Sequence, residues 1–247
     1  MLGVEGEDAD PPIPPFSLQP ISLRSNNLTA MLTYEREYWR SHPDGVLAGV
    51  DEAGRGPLAG PVVASALVIP CLAVESYYAD ALCGLTDSKQ LSAARRERYY
   101  EILSTTPGIQ IGVGWVEAAE IDEINILCAT HLAMRRALLA LPRLPDHTLV
   151  DGLPVQGLPG PSTAIVRGDA LSFLIAGASV VAKVLRDRCM RELDRLHPGY
   201  HFEQNKGYGT HDHVTALFRL GPCPEHRRSF RPVQDALQQT TTVSKVG

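Results

Sequence analysis

Short hydrophobic runs separated by turn-forming residues predict the strands of this chain. The runs Val46–Val50 and Val62–Ile69 have the length of buried strands, and a glycine-rich stretch lies between them. From Ile109 to Trp115, hydrophobic residues alternate with small or polar ones, which is the period of a third strand. Two shorter segments, Leu149–Asp151 and Thr163–Val166, predict a fourth and a fifth strand.

The helices are predicted from capping residues and from hydrophobic residues that recur every three or four positions. Thr33–Arg40 predicts a short helix, and Ser92 has the character of a cap for a second helix. The recurrence between Ile121 and Leu138 predicts a helix of about 24 residues. Residues 171–196, rich in small side chains, predict a helix packed closely on a sheet. Strands joined first in hairpins, then alternating with helices, indicate an α/β fold with a mixed sheet.

Length and composition indicate one globular domain with extensions at both ends. A chain of 247 residues, 44% hydrophobic and 21% charged, can bury a single sizeable core. Residues 1–30 are rich in proline, serine and asparagine without periodicity, so we predict a disordered N-terminal extension. The predicted domain spans 31–233, and 234–247 are predicted to be a flexible tail.

The net charge of −5 hides an uneven distribution along the chain. Residues 183–231 contain ten Lys or Arg and six Asp or Glu, a net charge of +4, which leaves −9 for the remainder. An acidic first part and a basic last part would suit a metal-dependent enzyme that acts on a polyanion. We therefore predict a basic substrate-binding segment at about 197–233.

Cysteine usage and the N-terminus bear on the compartment. The five scattered cysteines form no Cys-x-x-Cys pair, which favours a reduced cytoplasmic protein. The N-terminus is acidic and then proline-rich, unlike a signal peptide, and no hydrophobic run reaches 18 residues. We expect a cytoplasmic monomer without membrane contact, and the sequence does not identify a protein partner.

The stretch Gly49–Pro61, GVDEAGRGPLAGP, is the strongest chemical signal in the chain. Asp51 and Glu52 leave a predicted strand, and two adjacent carboxylates are costly to bury unless a cation neutralises them. The glycines that follow let the backbone turn and approach a ligand closely. Arg55, between two of them, suits a phosphate because its guanidinium can bond two oxygens. A tight turn with a solvated acid pair is the alternative, but the glycine content favours metal ions beside a phosphodiester.

Two further acids occupy comparable positions. Asp151 ends the fourth predicted strand, and Asp169 precedes the last predicted long helix. A turn acid and a helix N-cap, respectively, are the alternatives. Together with Asp51 and Glu52 they would converge on one rim of the sheet and repel one another unless divalent ions lay between them. Oxygen ligands favour Mg²⁺ or Mn²⁺, and two such ions can activate water and stabilise the leaving oxygen of a phosphodiester.

A zinc site is the competing metal interpretation. His211, His213, Cys223 and His226 form a group whose composition suits zinc. Their spacing fits no familiar finger, and only one of them is a thiolate. We favour substrate-facing or surface histidines in a basic segment.

Seven motifs in order carry a resemblance to a known family. They are GVDEAGRGPLAGPVV at 49–63, DSKQL at 87–91, VDG at 150–152, GDALS at 168–172, ASVVAKVLRD at 178–187, NKGYGT at 205–210 and HRRSF at 226–230. Over roughly Thr33–Val233 the chain resembles bacterial type 2 ribonuclease H. The resemblance implies an RNase H-like mixed five-stranded sheet flanked by helices, with a C-terminal helical extension.

The resemblance also implies roles for individual residues. The catalytic and metal-binding carboxylates would be Asp51, Glu52, Asp151 and Asp169, around two Mg²⁺ or Mn²⁺ ions. Asp187 lies in a matching motif, but its arginine-rich helix suggests a structural salt bridge instead. The Gly54-Arg55-Gly56 backbone would contact the ribose 2′-hydroxyl and adjoining phosphates. Tyr208 would stack at the RNA–DNA junction, and further substrate contacts would come from Ser88, Lys89, Ser179 and Lys183.

The activity that the resemblance implies is metal-dependent hydrolysis of RNA in RNA–DNA hybrids. Such an enzyme would also cut on the 5′ side of a ribonucleotide embedded in duplex DNA and leave 3′-hydroxyl and 5′-phosphate ends, which suits removal of misincorporated ribonucleotides. One alternative is a two-metal DNA nuclease of the resolvase or integrase type, for which a 2′-hydroxyl contact would have no purpose. The other is a non-catalytic hybrid-binding protein, against which the four carboxylates argue.

Overall fold

The computed structural model of the protein describes residues 31–74 and 81–243. Five strands occur in these ranges: β1 (Leu47–Ala53), β2 (Val62–Val68), β3 (Gln110–Val116), β4 (His147–Asp151) and β5 (Ser162–Ile165). The helices are α1 (Thr33–Ser41), α2 (Ala93–Thr105), α3 (Ala118–Leu139), α4 (Phe173–Leu196), α5 (Phe202–Asn205), α6 (His211–Leu220) and α7 (Arg231–Val243). Shorter helical turns lie at Cys71–Ala73, Ser88–Gln90 and Gly168–Ala170. The predicted order of strands and helices is confirmed.

The strands form one mixed sheet in the order β3-β2-β1-β4-β5. β1, β2 and β3 are antiparallel neighbours, whereas β1, β4 and β5 run parallel. Residues 54–61 form a short link between the antiparallel strands β1 and β2, whereas α2 separates β2 from β3, and β4 follows α3 and enters the sheet parallel to β1. The carboxyl ends of β1 and β4 therefore lie side by side at one edge of the sheet.

Two helices cover the sheet on opposite faces. In β1, Leu47 belongs to the core beneath α4, whereas its neighbours Ala48 and Val50 belong to the core beneath α3. This alternation is the period-2 pattern of a strand that is buried on both sides. Gly49 allows the closest approach, because a Cβ there would collide with the backbone of Leu174 in α4.

The C-terminal part differs from the prediction of a flexible tail at 234–247. Residues up to Val243 continue α7, which buries Val233 and Ala236. These side chains pack with Leu58 and Leu217 in a small separate core. Polar residues dominate the sequence of this helix and conceal that single apolar stripe. The predicted disordered extension 1–30, and positions 244–247 of the predicted tail, lie outside the described residues.

The long helix α3 is interrupted, contrary to the prediction of one continuous helix. Asn125 has φ 67° and ψ 164°, outside helical geometry. Its Oδ1 accepts hydrogen bonds from the N–H groups of Leu127 (3.0 Å) and Cys128 (3.1 Å). Asn125 therefore caps the second helical segment, a role for which asparagine is well suited.

Candidate active site

The sheet brings three of the predicted acids to neighbouring strand ends. Asp51 and Glu52 lie near the carboxyl end of β1, and Asp151 is the last residue of β4. β4 runs parallel to β1 with Val150 opposite Val50, so both strands end at the same edge. In α/β sheets this edge is where ligands bind.

Asp169 reaches the same edge from the loop after β5. It lies in the turn Gly168–Ala170, is buried, and its N–H is 3.4 Å from Oδ1 of Asp151. It does not cap α4, because Ser172 does so by accepting the N–H of Ile175 at 3.3 Å. The carboxylate of Asp169 is thus not used as the N-cap considered as the alternative.

Burial and the charges of neighbouring acids raise the pKa of three of these carboxylates, Asp51, Glu52 and Asp169. Burial, and then the charges of Glu52 and Asp151, raise the pKa of Asp51 well above its ordinary value. Burial also raises the pKa of Glu52, although the guanidinium of Arg55, 3.4 Å away, opposes the shift. The pKa of Asp169 is raised by burial and by Asp151. The group carries more negative charge than its cationic neighbours neutralise.

The donor set fits hard divalent cations, because it consists of carboxylate oxygens with uncompensated charge. Asp51, Glu52 and Asp151 line an open pocket of about 270 Å³. Across 31–74 and 81–243, however, no three Asp, Glu, His or Cys side chains are already arranged as a complete metal-binding group. The carboxylates are gathered at one edge but are not preset around an ion.

The Gly54-Arg55-Gly56 loop leaves β1 directly after the acids and forms part of the same pocket. Gly54 has φ +100°, and a Cβ there would collide with the guanidinium of Arg186. Only glycine combines that backbone conformation with so close a neighbour. Gly56 is under no such constraint, since a Cβ there would lie 3.6 Å from the ring of Tyr208.

Tyr208 forms another wall of the pocket, next to Gly56. Its side chain is 46% exposed, which leaves a large part of the aromatic ring accessible to a ligand. The loop that carries it is anchored at Gly207, whose carbonyl accepts the N–H of Leu58 at 2.7 Å. An exposed ring on an anchored backbone is suited to stacking.

The four remaining predicted substrate contacts also line the pocket. The hydroxyls of Ser88 and Ser179 are 2.9 Å apart and buried. Lys89 is exposed, with Nζ 3.5 Å from Oδ2 of Asp169 and 3.8 Å from Oδ1 of Asp87. Nζ of Lys183 is 2.6 Å from Oδ1 of Asp187 in the same helix, α4. The pocket thus has carboxylates at its base, and lysines, glycine backbone and an aromatic ring along its walls.

Comparison with known proteins assigns the chain to a family. The model of the family described as "Ribonuclease HII" matches residues 48–233 of this chain. The ribonuclease HII of Rhodospirillum rubrum is 53% identical over 196 residues, covering 79% of this chain and 88% of that protein. The ribonuclease H2 structure from Pyrococcus horikoshii OT3 superposes with a TM-score of 0.66 at 26% identity, covering 79% of this chain and 99% of the other. A Bst ribonuclease HIII in complex with Mn²⁺ has a TM-score of 0.63 at 18% identity, covering 82% and 73%, a likeness of fold alone.

This chain belongs to the ribonuclease HII family. Members of that family are endoribonucleases, so the predicted enzyme class is confirmed together with the predicted fold. In the described part of the chain, none of the helices is long and apolar enough to cross a membrane.

Asp187 of this ribonuclease HII chain lies in ion pairs, though not with the neighbours that its sequence suggested. Its Oδ1 is 2.6 Å from Nζ of Lys183, and its Oδ2 is 3.9 Å from Arg96. Arg96 also donates to the carbonyl of Ser88 at 2.9 Å. The adjacent Arg186 and Arg188 point to other partners, as expected for successive positions on a helix.

The group considered as a zinc site forms a hydrogen-bonded pair of buried histidines instead. Nε2 of His213 is 3.1 Å from Nε2 of His226, and Nδ1 of His226 is 3.1 Å from Sγ of Cys223. The thiol and the partner histidine thus lie on opposite sides of the His226 ring and cannot bind one ion together. His211 is exposed and takes no part.

Two buried arginines were missed as parts of this ribonuclease HII site. Arg186 donates to the carbonyls of Pro61 (2.9 Å), Ala59 (3.2 Å) and Lys206 (3.0 Å). Arg227 donates to the carbonyls of Gly54 (2.6 Å), Arg55 (3.0 Å) and Gly60 (2.8 Å). Burial lowers the pKa of both, that of Arg227 to about 9. The only signal in the sequence was that Arg186 directly follows a run of mostly small and apolar residues.

Proposed function

We propose that this chain hydrolyses RNA in RNA–DNA hybrids and cuts on the 5′ side of single ribonucleotides embedded in duplex DNA, with 3′-hydroxyl and 5′-phosphate products. The observation that carries the proposal is that the acids and the Gly54-Arg55-Gly56 backbone are adjacent along the chain and line one pocket. Asp51 and Glu52 lie near the end of β1, and Gly54-Arg55-Gly56 follows after the single residue Ala53 in the same pocket. One short piece of chain thus holds the acids next to the glycine-rich backbone, which supports a proposal in which the first hydrolyse and the second recognises the substrate.

Asp51, Glu52 and Asp151 would be the main ligands of two Mg²⁺ or Mn²⁺ ions. Asp169 would complete the site and orient the attacking water. When bound, such ions supply charge stabilisation and lower the pKa of a coordinated water. The raised pKa of Asp51, caused by burial and neighbouring carboxylates, supports this role because a cation would relieve both effects.

Recognition would come from the other walls of the pocket. The Gly54-Arg55-Gly56 backbone would bond the 2′-hydroxyl, which is the group that distinguishes RNA from DNA. Tyr208 would stack at the RNA–DNA junction, a contact that tolerates any base. Ser88, Lys89, Ser179 and Lys183 would contact the phosphate backbone, with the basic segment 197–233 extending that surface.

Cleavage of three matched duplexes tests the proposal. One carries a single ribonucleotide, the second has deoxyribose at that position, and the third is a continuous RNA–DNA hybrid, each with and without Mg²⁺. We expect metal-dependent cutting of the first and third, with the deoxyribose duplex rejected by about four orders of magnitude. Comparable cutting of the first two duplexes would favour a DNA nuclease. Metal-independent binding of the hybrid without cleavage would favour a hybrid-binding protein.

A further inference from the structure

A chain of hydrogen bonds leads from the protein interior to the backbone of Tyr208. Nδ1 of His213 lies 2.9 Å from the carbonyl oxygen of Tyr208, and its Nε2 lies 3.1 Å from Nε2 of His226. On its far side, Nδ1 of His226 is 3.1 Å from both the N–H and the Sγ of Cys223. His213 and His226 are 0% and 1% exposed.

The partners fix the direction of every bond in this chain. A carbonyl only accepts, so His213 must carry its proton on Nδ1 and its Nε2 must accept. The Nε2 of His226 therefore donates, and its Nδ1 accepts from the N–H of Cys223. Both rings are satisfied only as neutral imidazoles of opposite tautomer. Burial, which lowers the pKa of His213 and lowers that of His226 to about 4, is consistent with neutral rings.

The segment that contains His226 also forms hydrogen bonds to the glycine-rich loop, residues 54–61. The carbonyl of Glu225 accepts the N–H of Gly60 at 2.9 Å, and the N–H of Arg227 donates to the carbonyl of Leu58 at 2.8 Å. The Arg227 side chain bonds the carbonyl of Gly54. Residues 225–227 thus contact the loop directly and reach Tyr208 through the two histidines.

We propose that His213 and His226 are positioning residues for Tyr208, and that their hydrogen-bond chain sets the tyrosine's position relative to the Gly54-Arg55-Gly56 loop. The inference rests on the proposed function, because it gives Tyr208 and the loop their joint task at the RNA–DNA junction. Neither histidine lines the pocket. The loop contacts of 225–227 come from backbone atoms and from the Arg227 side chain, so the two imidazole rings themselves would act on cleavage through Tyr208.

Two substitutions of His226 separate its two bonds. In His226→Gln the side-chain amide reaches the former Nε2 position and still donates to His213. In His226→Asn the shorter amide reaches only the former Nδ1 position, so it keeps the contact with Cys223 and loses His213. The measured quantity is junction preference, the ratio of kcat/KM for a single-ribonucleotide duplex to that for a continuous hybrid.

We expect His226→Asn to lower junction preference by roughly fivefold, the lower end of what loss of a stacked base produces, and His226→Gln to stay within about twofold of the wild type. In a Tyr208→Ala background the two variants should give the same ratio. Equal losses in both variants, or a difference that persists without the tyrosine, would overturn the proposal.

The tautomers give a test that does not depend on cleavage or on folding of the variants. Long-range ¹H–¹⁵N correlation spectra of the intact wild-type chain at pH 7 should show His213 protonated on Nδ1 and His226 on Nε2. Any other pair of tautomers would contradict the proposed series of hydrogen bonds. If the wild type cut ribose and deoxyribose duplexes alike, the proposed function would fail, whereas these spectra would still decide the hydrogen bonds.

Discussion

Two groups of buried charge border the glycine-rich loop, and they are satisfied in opposite ways. The guanidiniums of Arg186 and Arg227 donate to a set of backbone carbonyls, so their hydrogen-bonding capacity is used within the fold. The carboxylates of Asp51 and its neighbours repel one another instead. Burial, together with the charges of Glu52 and Asp151, raises the pKa of Asp51. The loop side, which we propose recognises the ribose and call the recognition side, has its buried charges satisfied within the fold. The acidic side, which we propose carries out hydrolysis and call the hydrolytic side, lacks countercharge.

This difference has a direct chemical meaning. Under the proposed function the loop distinguishes a hydroxyl from a hydrogen, a task that needs a fixed backbone, and the hydrogen bonds of the buried arginines hold that backbone in place. A group that binds cations needs unneutralised charge, which costs stability in the absence of metal. Variants on the two sides should therefore fail in different ways.

The largest effect is expected on the hydrolytic side. Asp51→Asn removes a charge but keeps the side-chain shape, so metal binding and cleavage should fall by several orders of magnitude. Asp187→Asn serves as the matched control, because that acid is paired with Lys183 and Arg96 and does not itself line the pocket. It should retain substantial activity, and Asp169→Asn should not. Single-turnover cleavage in Mg²⁺ measures all three, and the reverse order for Asp169 and Asp187 would refute the assignment of the fourth acid.

On the recognition side, Gly54→Ala should have the next largest effect. Alanine cannot take φ +100° without strain, and its methyl would meet the guanidinium of Arg186. A displacement of the loop by about 1 Å could lower cleavage roughly a hundredfold. Gly56→Ala is the control, since its methyl would find ordinary contact with Tyr208 at 3.6 Å. Equal losses in kcat/KM for the two variants would show that the backbone of Gly54 has no special role.

Loss of the aromatic ring should have a smaller effect. Tyr208→Ala removes a stacking surface worth about 1–3 kcal/mol, so junction cleavage should weaken by roughly 5- to 150-fold. Tyr208→Phe keeps the ring and should cleave nearly as well as the wild type. The comparison is made on a duplex with one ribonucleotide; if Phe and Ala were equally impaired, the hydroxyl rather than the ring would be the important group.

The smallest effect is a gain in stability on the hydrolytic side. Burial and repulsion raise the pKa of Asp51 above its unfolded value, so ionisation penalises the folded state. That penalty is absent below the unfolded pKa and complete above the folded one, and the metal-free protein therefore gains stability as pH falls through the folded pKa. At pH 7.5 with EDTA, Asp51→Asn should melt higher by at least roughly 2 °C, the shift that about 1 kcal/mol produces in a domain of this size. The difference should shrink on acidification, and a variant that melted lower at every pH would contradict this account.

The same contrast explains what the sequence could predict. Asp51, Glu52 and Asp151 follow apolar runs, and strand ends are visible in a hydrophobic pattern, so their meeting at one edge was predictable. The guanidiniums of Arg186 and Arg227 donate hydrogen bonds to backbone carbonyls that are distant in sequence. Such contacts depend on tertiary structure, and no local sequence pattern predicts them.

The C-terminal part shows a second kind of limit. The resemblance implied a C-terminal helical extension, but residues 234–243 of α7 were predicted to be a flexible tail because the buried side chains of this helix, among them Val233 and Ala236, are spread among polar residues. The histidine pair was missed for another reason. The sequence favoured substrate-facing or surface histidines, and this was wrong for His213 and His226, which are buried and bonded to each other. Composition identified the chemical groups but could not say which atoms face one another.

The end of β1 has one more consequence, for where the cut falls. Only Glu52 and Ala53 separate Asp51 from Gly54, and both sides of this link are fixed, one by the sheet register and the other by Arg227. Under the proposed function this short link acts as a molecular ruler between the recognised sugar and the cleaved phosphate. The position of the cut would then be encoded in the length of the chain itself. Insertion of a single residue after Glu52 should therefore spread cleavage over neighbouring phosphodiester bonds and should not abolish it.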